Sequence, residues 1–173
     1  YIEARAPGGL VGAHVIFPMV TVGATENLLM AAALAKGETV IGNAAREPEV
    51  VDLAECLTSM GARISGAGTS TITIDGVDRL SGARHKVIPD RIETGTYAMA
   101  VTMTGGDVLL EGASPAILEK ALGVLGEIGA EITATNQGIR VRRNGNGIAP
   151  IDVTTEPFPG FPTDLQAQLM ALV

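Results

Sequence analysis

The sequence predicts a mixed α/β (α+β) fold that is built from a repeated unit. The pattern of apolar and turn residues gives the order helix, strand, helix, strand, strand, and then gives the same order again. Gly37 and Gly106 lie 69 positions apart, as do Ala44 and Ala113. A shared spacing of this length indicates a duplicated structural unit. The stretch 20–37 reads as a turn followed by a helix without a polar stripe, which is typical of a core helix.

The first copy is marked most clearly by its second helix. There Val50, Leu53, Leu57 and Met60 recur at steps of three and four residues, with a proline near the start and a glycine just past the end. The predicted elements are a strand at 10–17, a helix at 26–36, a strand at 39–42, a helix at 47–60, and strands at 62–65 and 71–74.

The second copy follows a stretch, 78–89, that breaks the periodicity and is a candidate boundary. A third copy is only begun, and we expect the chain to be a piece of a longer protein because it stops inside an apolar helical pattern. The predicted elements of these copies are a helix at 94–104, a strand at 108–111, a helix at 115–128, strands at 131–134 and 138–142, a strand at 151–155, a turn at 158–162 and a helix that opens at Thr163.

Composition excludes several classes of function. The net charge is −7, so nucleic acids and anionic membranes are poor partners. The longest apolar run, 28–35, is too short to span a bilayer, and we expect a soluble protein. Cys56 is the only cysteine and no histidine cluster accompanies it, so the sequence suggests neither a disulfide nor a metal site and is compatible with a cytoplasmic location.

Candidate chemistry lies where three predicted helices begin. A helix start leaves backbone N–H groups unpaired and carries positive potential, so the glycine-containing turn before the first helix is a candidate anion site. The alternative is ordinary capping: Thr25 is a candidate N-cap, Asp90 with Glu93 matches a capping box, and so does Thr163 with Gln166. The polar residues at the three starts are Thr21 and Thr25, then Asp90 and Glu93, then Thr163 and Asp164.

Three other features have plainer interpretations. Cys56 lies inside a helix, away from any cation or helix N-terminus, and is expected to be inert. Glu47 and Glu49 fit first-turn carboxylates that the helix dipole favours. Arg142 and Arg143 look like a solvated strand end.

Three motifs resemble the enolpyruvyl transferase family, and within it the branch that acts on UDP-N-acetylglucosamine. They are NAAREPEVVDLAECLTSMGARISGAGTSTITIDGV, IPDRIETGTYAMA and PFPGFPTDLQAQ, in that order, and the resemblance covers essentially the whole chain. It implies two lobes, each an inside-out α/β barrel of three βαβαββ units with helices within and sheets outside. On this pattern residues 1–88 are the tail of the first lobe and 89–173 the head of the second, and helices 26–36 and 94–104 are buried.

The resemblance also implies site residues. In the family the loop that matches Met19, Val20, Thr21, Val22 and Gly23 contacts UDP-N-acetylglucosamine, although some members have lysine in place of Met19. The aspartate that matches Asp164, with Thr163 beside it, serves the sugar 3-hydroxyl, either orienting it or taking its proton. Asp90 and Arg91 match residues near the cleft between the lobes.

The implied reaction moves the enolpyruvyl group of phosphoenolpyruvate to the 3-hydroxyl of UDP-N-acetylglucosamine, without a cofactor or intrinsic metal. The family's reactive cysteine, its N-terminal lysine and asparagine, and the arginines that grip phosphoenolpyruvate match no residue of this chain, so we expect the isolated chain to be inactive. Two alternatives stay open: a relative that uses 3-phosphoshikimate as the acceptor, and a non-catalytic piece that binds a nucleotide sugar.

Overall fold

The computed structural model describes residues 1, 3–145 and 147–173. The chain divides into two compact units, Tyr1–Ile88 and Pro89–Val173, and each is described by itself.

The first unit is a four-stranded sheet with two helices. The sheet order is β1-β2-β4-β3; β1 pairs parallel with β2, and the other neighbours are antiparallel. Its elements are β1 (His14–Ile16), α1 (Val22–Ala32), β2 (Glu38–Gly42), α2 (Pro48–Ser59), β3 (Arg63–Ser65) and β4 (Thr71–Asp75).

Alternation along β2 and β4 builds the core of this unit. Ile41, Ile72 and Ile74 are fully buried, whereas the strand residues between them are less covered. Successive strand side chains point to opposite faces, so one face of the sheet is apolar. Leu29 of α1 and Val50 of α2 belong to the same buried cluster, so the two helices cover that face.

The stretch predicted to break the periodicity is held against α2. One carboxylate oxygen of Asp52, Oδ1, lies 2.9 Å from His85 Nε2 and accepts a hydrogen bond from the Ile88 backbone N–H at 3.3 Å. These two contacts anchor the end of the first unit, a segment without regular secondary structure, to α2.

The second unit has a three-stranded sheet with order β5-β7-β6, antiparallel throughout. Its core joins Ile139 and Val141 of the central strand with residues of all three helices and with Phe161. Its elements are α3 (Arg91–Thr104), β5 (Gly106–Glu111), a 3-10 turn (Pro115–Ile117), α4 (Glu119–Ile128), β6 (Glu131–Thr135), β7 (Gly138–Arg143), a second 3-10 turn (Thr163–Leu165) and α5 (Gln166–Leu172).

The predicted duplication is confirmed by the topology. In both units the last strand of the repeat lies between the other two, as β4 lies between β2 and β3, and β7 between β5 and β6. Gly61 and Gly129 follow the second helix of each unit with φ of 105° and 115°. This left-handed backbone disfavours residues with a side chain, which explains why both copies have glycine there.

Several predicted boundaries were wrong. The strand predicted at 10–17 shortens to β1, and residues 151–155 form no strand but only an isolated bridge between Thr155 and Phe161. The helix predicted at 115–128 is interrupted at Leu118, whose φ of −136° and ψ of 15° are not helical. Strands need a partner, and within the described residues 151–155 gain none beyond that bridge.

The two helices predicted to be buried, 26–36 and 94–104, are only partly buried within their own units. Met30 of α1 is 47% exposed and Tyr97 of α3 is 58% exposed. Each helix buries one face against its own sheet and core, and the described residues of its unit leave these side chains on the opposite face exposed. Among the described residues, no helix has the length and apolar character needed to cross a membrane.

Candidate active site

The first candidate segment, 19–23, leads directly into α1. The helix begins at Val22, four residues earlier than predicted, and Thr21 is the extended N-cap with φ of −146° and no side-chain cap hydrogen bond. Gly23 is therefore the second residue of the helix, and its N–H is among those that have no partner within a helix. A helix start of this kind is a candidate anion site, because its first N–H groups have no partner within the helix.

Thr25 is not the cap that the sequence predicted. It is fully buried inside α1, where its hydroxyl donates to the Thr21 carbonyl at 2.8 Å and accepts from the Ala45 N–H at 3.1 Å. The second bond gives a buried backbone donor its partner, so Thr25 joins α1 to the segment that precedes α2.

The chain just before the segment 19–23 is fixed by hydrogen bonds, whereas the segment itself has exposed residues. The Asn43 side chain donates to the Phe17 carbonyl at 2.9 Å, and the Phe17 N–H donates to Gly42 at 3.0 Å. Met19 is 70% exposed, and a Cβ added to Gly23 would meet no atom within 4 Å. The first unit therefore leaves free the space that a ligand would need at this helix start.

Carboxylates lie close to the same region. The pKa of Glu26 is raised above the ordinary value of a glutamate, first by burial and then by the charges of Glu49 and Glu47. These groups disfavour a further negative charge, so binding of an anion here depends on the backbone donors.

Glu26→Gln is expected to stabilise the full-length protein at pH 8, by no more than about 1 kcal/mol because solvent screens a partly exposed group. A raised pKa means that the stability associated with Glu26 is fully present below its unfolded pKa and is lost as the pH rises through the folded pKa. The gain should therefore shrink toward pH 5. Thermal unfolding at the two pH values measures it, with Glu55→Gln, an exposed change on α2, as the control. An equal gain at both pH values would contradict the assignment.

In the second unit, Asp90 caps α3. Its Oδ1 accepts hydrogen bonds from the N–H groups of Ile92 at 2.8 Å and Glu93 at 3.0 Å, which confirms the predicted N-cap. Among the described residues the Glu93 side chain makes no return bond, so only half of the predicted capping box forms.

Arg91 is buried directly after this cap. It is 7% exposed, and its guanidinium carbon lies 5.9 Å from the centre of the Phe158 ring, within the range of a cation–π contact. With the 158–162 turn and α4 it lines a cavity of about 490 Å³. Pro162, which precedes Thr163, lines the same cavity, so the structure brings Arg91 close to the turn that carries Asp164.

Asp164 is an exposed residue in a short 3-10 turn. Within the part of the chain that the structure describes, no side-chain cap forms there; the Thr163 hydroxyl donates instead to Gln166 Oε1 at 3.3 Å, so the predicted capping box was wrong. Phe161 and Leu165, on either side, are fully buried. The carboxylate is thus displayed to solvent on a turn whose apolar neighbours are fixed in the core.

Sequence reasoning missed the contacts that support this turn. Thr96 of α3 accepts a hydrogen bond from Gln168 Nε2 at 2.9 Å and donates to the Ile92 carbonyl at 2.8 Å. A Cβ added to Gly95 would lie 2.6 Å from Leu165 Cδ1, so the two segments touch closely. The signal available in the sequence was Gln168 itself, a polar residue beside Leu169 within the apolar pattern of the last helix.

Among the residues that the structure describes, no group of three His, Cys, Asp or Glu side chains is placed to hold a metal ion.

The chain thus repeats a helix-strand-helix-strand-strand unit, with polar residues at its helix starts. The model of the family described as EPSP synthase (3-phosphoshikimate 1-carboxyvinyltransferase) matches residues 2–173, and the chain belongs to this family. The predicted family resemblance and fold class are confirmed.

Its relatives include proteins named UDP-N-acetylglucosamine 1-carboxyvinyltransferase. The one from Rhizobium etli is 71% identical over 174 residues, and the one from Xanthobacter autotrophicus is 69% identical over 173 residues. Each match covers 100% of this chain and 40% of the relative, so the chain spans about two fifths of their length.

Solved structures show the same fold. The enolpyruvyl transferase NikO from Streptomyces tendae superimposes with a TM-score of 0.69 at 24% identity, covering 87% of this chain and 36% of NikO. EPSP synthase from Acinetobacter baumannii gives a TM-score of 0.55 at 25% identity, with coverage of 78% and 31%.

Proposed function

We propose that this chain is the middle of an enzyme that transfers the enolpyruvyl group of phosphoenolpyruvate to the 3-hydroxyl of UDP-N-acetylglucosamine. The observation that carries the proposal is 71% identity, over the whole chain, to a relative named for that sugar nucleotide. On this proposal, residues 1–88 belong to the tail of one lobe and 89–173 to the head of the other. The proposal includes a cytoplasmic location and the first committed step of peptidoglycan synthesis.

The proposed chemistry is an addition followed by an elimination. Protonation of the phosphoenolpyruvate methylene makes C2 electrophilic, and the sugar oxygen forms a bond to C2 while losing its proton. Loss of phosphate and of one methyl proton then restores the double bond. No redox change occurs, and the reaction consumes no cofactor.

Asp164 is the proposed partner of the sugar 3-hydroxyl. Its exposed carboxylate, with no capping bond to satisfy, supports this role, because an acceptor that must receive a hydroxyl proton has to be accessible. It would orient the hydroxyl and take the proton late, when the forming C–O bond makes the oxygen acidic. Thr163 lies beside it.

The loop 19–23 is the proposed contact for the UDP part of the substrate. The start of α1 at Val22, where the first N–H groups have no partner within the helix, and the open space at Gly23 support it. In this proposal backbone donors hold the diphosphate, which is consistent with Met19, a residue without charge, at the position where some family members have lysine. Asp90 and Arg91, at the start of α3, are proposed as further residues of the site.

A second candidate acceptor is 3-phosphoshikimate, favoured by the description of the family model. The relatives with 69–71% identity argue against it, because the EPSP synthase structure shares only 25% identity with this chain. A third candidate is a protein that binds the nucleotide sugar without turnover.

Turnover assays with the full-length protein separate the three candidates. With phosphoenolpyruvate present, we expect phosphate release with UDP-N-acetylglucosamine and at least about 100-fold less with 3-phosphoshikimate, since a site built for one polar acceptor leaves its groups unpaired with the other. Phosphate release with 3-phosphoshikimate but not with UDP-N-acetylglucosamine would overturn the choice of acceptor. Calorimetric binding of the nucleotide sugar without turnover would favour the non-catalytic protein.

A further inference from the structure

The turn that carries Asp164 has little structure of its own to hold it. The 3-10 turn has three residues, Thr163–Leu165, and α5 after it has seven. A segment this short is not stable as an isolated helix. Its orientation must therefore come from contacts with another element, and in this unit that element is α3.

Two contacts with α3 hold the turn, and both come from residues that follow Asp164 in the sequence. Leu165, the next residue, is fully buried against Gly95, where even a methyl group would come within 2.6 Å of its side chain. Gln168, one turn further on, donates to the Thr96 hydroxyl at 2.9 Å. Gln168 belongs to α5, the helix that directly follows the turn, so its hydrogen bond ties that helix to α3.

The direction of the hydrogen bond is fixed. Thr96 has one hydroxyl proton, and that proton is donated to the Ile92 carbonyl, so Thr96 can only accept from Gln168. This orientation leaves Gln168 Oε1 buried without a hydrogen-bonding partner among the described residues. An unpaired buried oxygen lowers stability, and this cost offsets the stabilisation that the Gln168 hydrogen bond to Thr96 contributes.

We propose that Gly95, Thr96 and Gln168 are positioning residues for Asp164. This inference rests on the proposed function, in which the Asp164 carboxylate meets the sugar 3-hydroxyl. The close packing at Gly95 sets the distance of the turn from α3, and the Thr96–Gln168 hydrogen bond sets its rotation. Proton transfer requires the acceptor within about 3 Å of the hydroxyl, so a small displacement of the turn costs rate while leaving most substrate contacts intact.

The test is a set of variants in the full-length protein, assayed with UDP-N-acetylglucosamine and phosphoenolpyruvate. Thr96→Val keeps the shape of the side chain and removes the hydroxyl; we expect about a 10-fold lower kcat, with KM for the nucleotide sugar within about threefold. Thr96→Ser keeps the hydroxyl and should restore kcat to within about threefold of the parent. Thr104→Val is the matched control, because among the described residues the Thr104 hydroxyl bonds only to the carbonyls of Ala100 and Gly105, near the other end of α3.

A double variant distinguishes positioning from general destabilisation. If Thr96 acts through Asp164, Thr96→Val should lower kcat by less than about twofold when Asp164 is already asparagine, because coupled residues are not additive. The same 10-fold loss in both backgrounds, or no loss in the parent background, would overturn the inference. If the parent turns over and Asp164→Asn keeps its kcat, the inference also falls, whereas a parent without any turnover refutes the proposed function itself.

Discussion

Asp164→Asn is expected to lower the kcat of the full-length enzyme by about 100-fold or more, the lower end of the usual general-base contribution. Asparagine keeps an oxygen that can accept the hydrogen bond of the sugar hydroxyl but cannot take its proton. Binding of UDP-N-acetylglucosamine should therefore change little, within about threefold. Steady-state kcat together with calorimetric affinity measures both effects.

The structure indicates that Asp164→Asn leaves the packing of the second unit unchanged. Asp164 is exposed and makes no cap bond among the described residues, so its replacement removes no contact that the second unit needs. Asp152→Asn, another exposed aspartate in the same unit, is the control and should leave kcat unchanged. A kcat for Asp164→Asn within a few fold of the parent would exclude Asp164 from the proton transfer.

Gly23→Val is expected to weaken the affinity of the full-length enzyme for UDP-N-acetylglucosamine more than about 10-fold, or roughly 1.4 kcal/mol. Gly23 is the second residue of α1, where backbone donors have no partner within the helix, and a branched side chain there would occupy the space of the proposed diphosphate. The fold should survive, because a Cβ at Gly23 meets no atom of the chain within 4 Å. Calorimetry with UDP-N-acetylglucosamine gives the affinity.

Gly126→Val is the matched control for this change. Gly126 is an exposed helix residue of α4, and a Cβ there also meets no atom within 4 Å. Gly23→Ala should give a smaller loss than Gly23→Val, because a methyl group occupies less of the site. Unchanged affinity for both Gly23 variants would leave this segment as a plain helix start.

The order of the elements and the duplication could be predicted from the sequence because their causes are local. The apolar period of α2 and the glycines at 61 and 129 depend only on neighbouring residues, and the structure has both. The Asp90 cap was also predictable, since its oxygen bonds to N–H groups two and three residues away.

The remaining features depend on residues distant in the sequence. Thr25 was predicted as a cap, but α1 starts earlier, at Val22. The Thr25 hydroxyl instead accepts a hydrogen bond from the N–H of Ala45, 20 residues away. The segment 151–155 has the composition of a strand, yet a strand forms only when another strand supplies the missing hydrogen bonds.

The turn of Asp164 also combines a local sequence pattern with contacts between residues that are distant in the sequence. The sequence motif marks Asp164 and its turn, because the residues that resemble the family are contiguous there. The hydrogen bond that holds the turn joins Thr96 and Gln168, 72 residues apart, and the close contact of Gly95 with Leu165 spans a similar distance. The sequence by itself determined which carboxylate is the candidate, through its motif; only the packing of α5 on α3 decided how that carboxylate is held, because its orientation depends on contacts that no local pattern encodes.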